Sequence, residues 1–111
     1  MKIFSIVGGD KRNIALCALL RDVGHTVRLF GFPECEATLY EAINDADYVI
    51  GSVPCSHDGE RLHAPMMGVP IFAEEMFRLM LPNQVFIAGM LKLEIIQIAQ
   101  KYRPNLRPQK P

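Results

Sequence analysis

Short apolar runs alternate along the chain with segments of helical length. Four runs have the length and the β-branched content of buried strands: 2–7, 26–30, 47–53 and 84–88. Four segments between and after them are predicted to be helices: 13–24, 37–44, 74–81 and 91–102. This alternation predicts an α/β fold, a Rossmann-like or flavodoxin-like three-layer domain with a mainly parallel sheet of about 4–5 strands and helices on both faces.

Two of the predicted helices carry further information. The last helix has one apolar face, formed by Leu91, Ile95, Ile98, Ala99 and Tyr102. The first helix is apolar nearly all round, since 14–20 contains no polar residue. Either its small residues make it a well-buried helix, or its second side packs on another subunit or domain.

The segment 55–72 interrupts the alternation. It contains two prolines, two glycines and several polar residues, so we expect a long excursion from the sheet. Within it, 62–65 and 69–72 are predicted to pair as a small hairpin around Met67 and Gly68. The Pro-rich stretch 103–111 is predicted to be a tail or the start of an interdomain linker after a domain formed by 1–102.

Composition narrows the classes of function. The 111 residues form one domain, and 12 basic residues balance 12 acidic ones, so a nucleic-acid partner and a membrane-surface partner are both disfavoured. No apolar run has the length of a membrane span. Three widely spaced cysteines are typical of reduced thiols, and we expect a cytoplasmic protein.

The turn after the first strand, Gly8-Gly9-Asp10, stands where a dinucleotide-binding protein has its phosphate loop. The G-x-G-x-x-G fingerprint would require glycine at the positions of Asp10 and Asn13. Asp10 can instead cap the following helix, and its charge would repel a phosphate. We therefore expect no cofactor to be bound by this domain.

Ligands of open α/β sheets bind outside the carboxyl ends of the strands. Arg12, Lys11, His57 and Arg61 are the cations best placed to meet an anion at that edge. The nearby Cys55, His57, Asp58 and His63 lack the paired spacing of a zinc site, so no metal is predicted. A cysteine nucleophile is disfavoured too, and no catalytic residue is assigned.

Five blocks in succession are similar to one known family. They are VGGDKR, GHTVRLFGF, ADYVIGSVPCSHDG, HAP and VFIAGM, and the likeness covers about 1–102. On these blocks the chain resembles the N-terminal domain of the dipicolinate synthase A chain.

The resemblance implies a sporulation enzyme of the cytoplasm that oxidises a dihydrodipicolinate-type intermediate of the lysine pathway to dipicolinate. It implies that the partner is the dipicolinate synthase B chain and that the cofactor, NAD(P), is bound by a second, C-terminal domain. The chain stops where that domain should begin, so we expect it to be absent here; a fragment and a naturally short relative remain open alternatives.

The resemblance also places two turns in the interdomain cleft. Together with the two cations Arg12 and His57, they give a predicted binding set for a small dicarboxylate: Gly8, Gly9, Asp10, Arg12, Pro54, Ser56, His57 and Gly59. A homo-oligomer is expected. Two alternatives stay open: a non-catalytic Rossmann-like interaction or dimerisation module, and a complete small nucleotide-binding protein.

Overall fold

The computed structural model describes residues 1–33, 35 and 37–102. The predicted Pro-rich stretch 103–111 lies outside these residues. The strands are β1 (Ile3–Val7), β2 (Thr26–Phe30), β3 (Tyr48–Ile50) and β4 (Val85–Ile87). The helices are α1 (Lys11–Asp22), α2 (Leu39–Ile43), α3 (Ala73–Leu79) and α4 (Leu93–Tyr102). Each predicted strand and helix is confirmed, although β3 and β4 are shorter than predicted.

The four strands form one parallel sheet in the order β2-β1-β3-β4. Because side chains alternate across a strand, Phe4 and Ile6 of β1 face one layer, and Ser5 and Val7 face the other. Ile6 packs with Cys17 of α1, and Val7 packs in the larger core formed with α2, α3 and α4. Helices therefore cover both faces, which confirms the three-layer α/β prediction.

Helix α1 begins at the predicted cap. The Asp10 side chain accepts a hydrogen bond from the Arg12 amide at 3.0 Å, and Asn13 Oδ1 accepts one from the Asp10 amide at 3.3 Å. This reciprocal capping satisfies amides that would otherwise lack partners in the first turn. It also fixes Asp10 at the carboxyl end of β1.

The outer side of α1 is not buried. The helix buries only Asn13 and Cys17, whereas Leu19 is 64% exposed and Ile14 is 40% exposed. Of the two alternatives for this helix, a well-buried helix is therefore not what the described part of the chain shows. Val85 and Ile87, which lie in register with Phe4 and Ile6 on the same side of the sheet, are also half-exposed.

The segment between β3 and α3 leaves the sheet as predicted, and only the base of the predicted hairpin around Met67 and Gly68 forms. An isolated antiparallel bridge joins Arg61 to Phe72, and the Leu62 amide donates to the Ile71 carbonyl at 2.8 Å. Pro65 and Pro70 have no N–H for a ladder, so pairing stops at the base of the loop. Further along the segment, the His63 carbonyl accepts from the Gly9 amide, so the segment contacts the turn that follows β1.

None of the helices among the described residues is long and apolar enough to cross a membrane.

Candidate functional site

Gly8 and Gly9 turn the chain sharply from β1 into α1. Their φ values are +74° and +108°, in the region that side chains other than glycine rarely adopt. The Gly9 amide donates to the His63 carbonyl at 2.8 Å, and a Cβ on Gly8 would lie 3.1 Å from the same oxygen. The loop that follows β3 therefore lies directly on this turn, and its backbone takes the amide that a phosphate loop would present.

Asp10 and Arg12 form an ion pair at the start of α1. Arg12 Nε donates to Asp10 Oδ1 at 3.1 Å, and Nη2 donates to Asp10 Oδ2 at 2.9 Å. Nη2 also donates to the Val53 carbonyl at 2.6 Å. The hydrogen bonds from the Arg12 side chain and amide lower the pKa of Asp10 to about 2, so this carboxylate stays ionised at neutral pH.

Two histidines join this ion pair to the surface. His63 Nε2 lies 3.7 Å from Asp10 Oδ2, and His63 Nδ1 lies 3.0 Å from His57 Nε2. The His63 side chain is largely buried, whereas His57 is exposed. The Asp10 carboxylate, the His63 ring and the accessible His57 ring therefore lie next to one another, with a hydrogen bond between the two rings and a 3.7 Å separation between His63 and Asp10.

The turn 56–61 is held by its own polar side chains. Asp58 Oδ1 accepts from the amides of Glu60 and Arg61 at 2.9 Å and 2.8 Å, and Oδ2 accepts from Arg61 Nε at 2.8 Å. These bonds depress the pKa of Asp58 well below its usual range. Ser56 is buried, donates to the Arg61 carbonyl and accepts from the Gly59 amide at 3.0 Å.

A cavity of about 390 Å³ opens beside this turn. His57, Asp58, Arg61 and His63 supply its polar side. Its remaining wall is mainly apolar: Leu62, Ala64, Pro65, Met67, Gly68, Val69, Pro70 and Ile71. The volume and the mixed lining are typical of small-molecule sites.

The structure brings part of the predicted set together. Gly8, Gly9, Asp10 and Arg12 lie at one turn, and His63 links that turn to His57. Pro54 follows the Val53 carbonyl that Arg12 contacts, through a cis peptide bond.

Ser56 and Gly59 take other places. The Ser56 hydroxyl is engaged within the turn, and Gly59 lies against α4, where a Cβ would come within 2.9 Å of Glu94 Cβ. His63 and Arg61 line the cavity but were outside the predicted binding set, although Arg61 was among the cations predicted to meet an anion. The sequence S-H-D-G-E-R before His63 was a signal for its position. Its Ser and Asp side chains favour a turn, which brings the following residues back toward the preceding ones.

Cys55 stands at the start of the same loop but has the properties of a core residue. Its side chain is fully buried, and burial raises the pKa of the thiol to about 12. The thiol is therefore protonated at neutral pH, while a nucleophilic cysteine reacts as the thiolate.

Within the described residues, no group of three or more His, Cys, Asp or Glu is arranged to hold a metal ion.

The sequence model of one family, the N-terminal domain of the dipicolinate synthase A chain, matches residues 3–107. The chain belongs to this family. A comparison with curated protein sequences returns no match.

Two solved structures of dipicolinate synthase A chains share the fold. The one from Bacillus subtilis superposes with a TM-score of 0.75 at 14% identity, over 91% of this chain and 37% of that one. The one from Bacillus halodurans superposes with a TM-score of 0.72 at 17% identity, over 91% of this chain and 38% of that one. The chain thus spans little more than a third of the length of either neighbour.

Proposed function

We propose that the chain is the substrate-side domain of a dipicolinate-synthase-type oxidoreductase. That enzyme would convert a dihydrodipicolinate-type intermediate of the lysine pathway to dipicolinate during sporulation, in the cytoplasm. A nicotinamide cofactor, NAD(P), would be held by a second domain, and the dipicolinate synthase B chain would complete the complex. Membership in the family supports this reaction class.

The observation that carries the proposal is the cavity beside Arg61 and His57. Among the described residues, Arg61 Nη1 and Nη2 have no hydrogen-bond partner, while Nε is held by Asp58. A guanidinium fixed at one nitrogen presents the other two to a carboxylate in the paired geometry that arginine favours. The apolar wall, which includes Leu62 and Ile71, suits the flat ring of a pyridine dicarboxylate.

We expect pyridine-2,6-dicarboxylate to bind in this cavity. A titration of the 111-residue chain, followed by ¹⁵N–¹H NMR at millimolar ligand, should shift the amides of His57, Arg61 and His63. Arg61→Gln should weaken binding by roughly 10-fold or more, because a charge-assisted hydrogen bond contributes about 1.5–3 kcal/mol. The turn should persist in this variant, since Asp58 still accepts from two amides.

Arg78→Gln is the matched control. Arg78 is exposed like Arg61 but lies on α3, where it contacts Glu74 and Tyr102. The Arg78→Gln variant should bind pyridine-2,6-dicarboxylate with the affinity of the wild type. Equal affinity of the two variants, or no amide shifts in the wild type, would remove the substrate cavity from the proposal.

A second candidate function is a homo-dimerisation module. Four apolar side chains favour a dimer because covering them is stabilising: the exposed Leu19 and Ile14 on α1 and the half-exposed Val85 and Ile87 of β4.

We expect light scattering to give twice the monomer mass, and Leu19→Lys to restore the monomer. Lys11→Glu, also exposed on α1, is the control and should remain dimeric. A wild-type monomer at high micromolar concentration contradicts this candidate.

A further inference from the structure

The Asp10 carboxylate lies close enough to His63 to influence which ring nitrogen of the neutral imidazole carries the hydrogen. Asp10 is ionised, and His63 Nε2 faces its Oδ2 at 3.7 Å. A lone pair on Nε2 would point at a negative charge, whereas an N–H there is attracted to it. This attraction favours the neutral His63 tautomer that has its hydrogen on Nε2 and a lone pair on Nδ1.

That assignment passes to the second ring. His63 Nδ1 and His57 Nε2 are 3.0 Å apart, a distance at which one nitrogen donates and the other accepts. In the His63 tautomer with the lone pair on Nδ1, His57 Nε2 is the donor. The lone pair of neutral His57 is then on Nδ1, and His57 is a residue of the cavity wall.

We propose that Asp10, His63 and His57 form a proton relay that serves the cavity. His57 Nδ1 accepts a proton from the ligand side, and the Nε2–H of His57 passes its proton to His63 Nδ1. One N–H bond forms at each ring, the one at His57 Nε2 breaks, and no electrons are transferred. The positive charge comes to rest on His63, next to the Asp10 carboxylate.

The catalytic role of this relay rests on the proposed function. Oxidation of a dihydropyridine ring to a pyridine releases a hydride, which the nicotinamide would accept, and a proton, which needs a base. In this role His57 is the catalytic base, while His63 and Asp10 are positioning residues.

The other charged groups near His57 and His63 do not change the orientation that Asp10 gives to His63. Arg12 faces Asp10 and keeps it ionised without contacting either imidazole within the described hydrogen bonds. Asp58 and Arg61 share the cavity wall with His57, and they neutralise each other through a 2.8 Å ion pair. Asp10 is thus the carboxylate that orients His63.

The tautomers can be observed directly by long-range ¹H–¹⁵N NMR of the histidine rings in the ligand-free chain. We expect His63 and His57 both to carry hydrogen on Nε2. Asp10→Asn keeps a good helix cap while removing the charge, so its His63 should become a mixture of tautomers. His25 is the internal reference: its Nδ1 accepts from the Lys2 amide, and its spectrum should not change. Hydrogen on His63 Nδ1 in the wild type, or identical ring spectra in Asp10→Asn, would overturn the relay.

A second measurement tests proton uptake. Calorimetric titration with pyridine-2,6-dicarboxylate in buffers of different ionisation enthalpy should reveal protons taken up on binding, and His57→Gln should lose that uptake. Uptake that persists in His57→Gln contradicts the relay. Absence of binding would contradict the proposed function instead, while the ring spectra would still decide on the relay.

Discussion

Gln84→Leu should lower the free energy of unfolding by about 3 kcal/mol. The Gln84 side chain is buried between β4 and the α2–β3 connection. Its Nε2 donates to the carbonyls of Ile43 and Ala46 at 2.7 Å and 2.9 Å, and its Oε1 accepts from the Leu81 amide at 2.8 Å. Leucine fills a similar volume but leaves these backbone groups without this partner, and each unsatisfied buried group costs about 1–3 kcal/mol.

Urea unfolding followed by circular dichroism would measure this loss. In a thermal scan we expect a drop of roughly 15 °C, given the usual entropy of unfolding for a domain of this size. Gln100→Leu is the control, because Gln100 is exposed near the end of α4 and its variant should unfold within about 0.5 kcal/mol of the wild type. A Gln84 variant as stable as the Gln100 variant would show that the three bonds contribute nothing net.

Gly9→Ala should cost about 2–4 kcal/mol, the sum of backbone strain and a damaged helix cap. Gly9 has a φ of +108°, and an added Cβ would lie 2.2 Å from Asn13 Cγ. Asn13 would have to leave the Asp10 amide, so the start of α1 and the position of Asp10 would both change. We expect the NMR signals of Asp10 and His63 to shift along with the loss of stability.

Gly24→Ala separates the two causes. Gly24 has a similar φ of +101°, but nothing lies within 4 Å of its hypothetical Cβ. This variant should show the backbone strain alone, so Gly9→Ala should be the less stable of the two by about 1–2 kcal/mol. Equal losses in denaturant would mean that the contact with Asn13 relaxes freely and that the cap is unaffected.

The sequence pattern was sufficient for the layers of the fold because those follow local rules. The strand at 26–30 follows from a short run of apolar residues. The helix cap follows from the side chain of Asp10. Strand β3 ends at Ile50, before the end of the predicted strand 47–53, although the Gly51 amide still donates to the Ile87 carbonyl at 2.8 Å. Apolar content does not reveal where pairing ends.

The candidate site was harder to predict from the sequence because it depends on contacts between distant parts of the chain. Arg12 was predicted to meet an anionic ligand, and it lies beside Asp10, which engages two of its nitrogens. A D-x-R pattern at a helix cap is a local sign of that pairing. His63 and Asp10 are 53 positions apart in sequence. They come together because the loop after β3 contacts the turn after β1, where the Gly9 amide donates to the His63 carbonyl, and no periodicity predicts that contact.

The Gly9–His63 hydrogen bond has a consequence for protein engineering. Introducing glycines at Asp10 and Asn13 would restore the letters of a dinucleotide fingerprint, yet the Gly9 amide would still be engaged by the His63 carbonyl at 2.8 Å. A Cβ on Gly8 would still lie against Ala64. A designer who wanted a nucleotide here would have to re-route the loop that follows β3, since the steric barrier lies in that loop and not in the glycine turn.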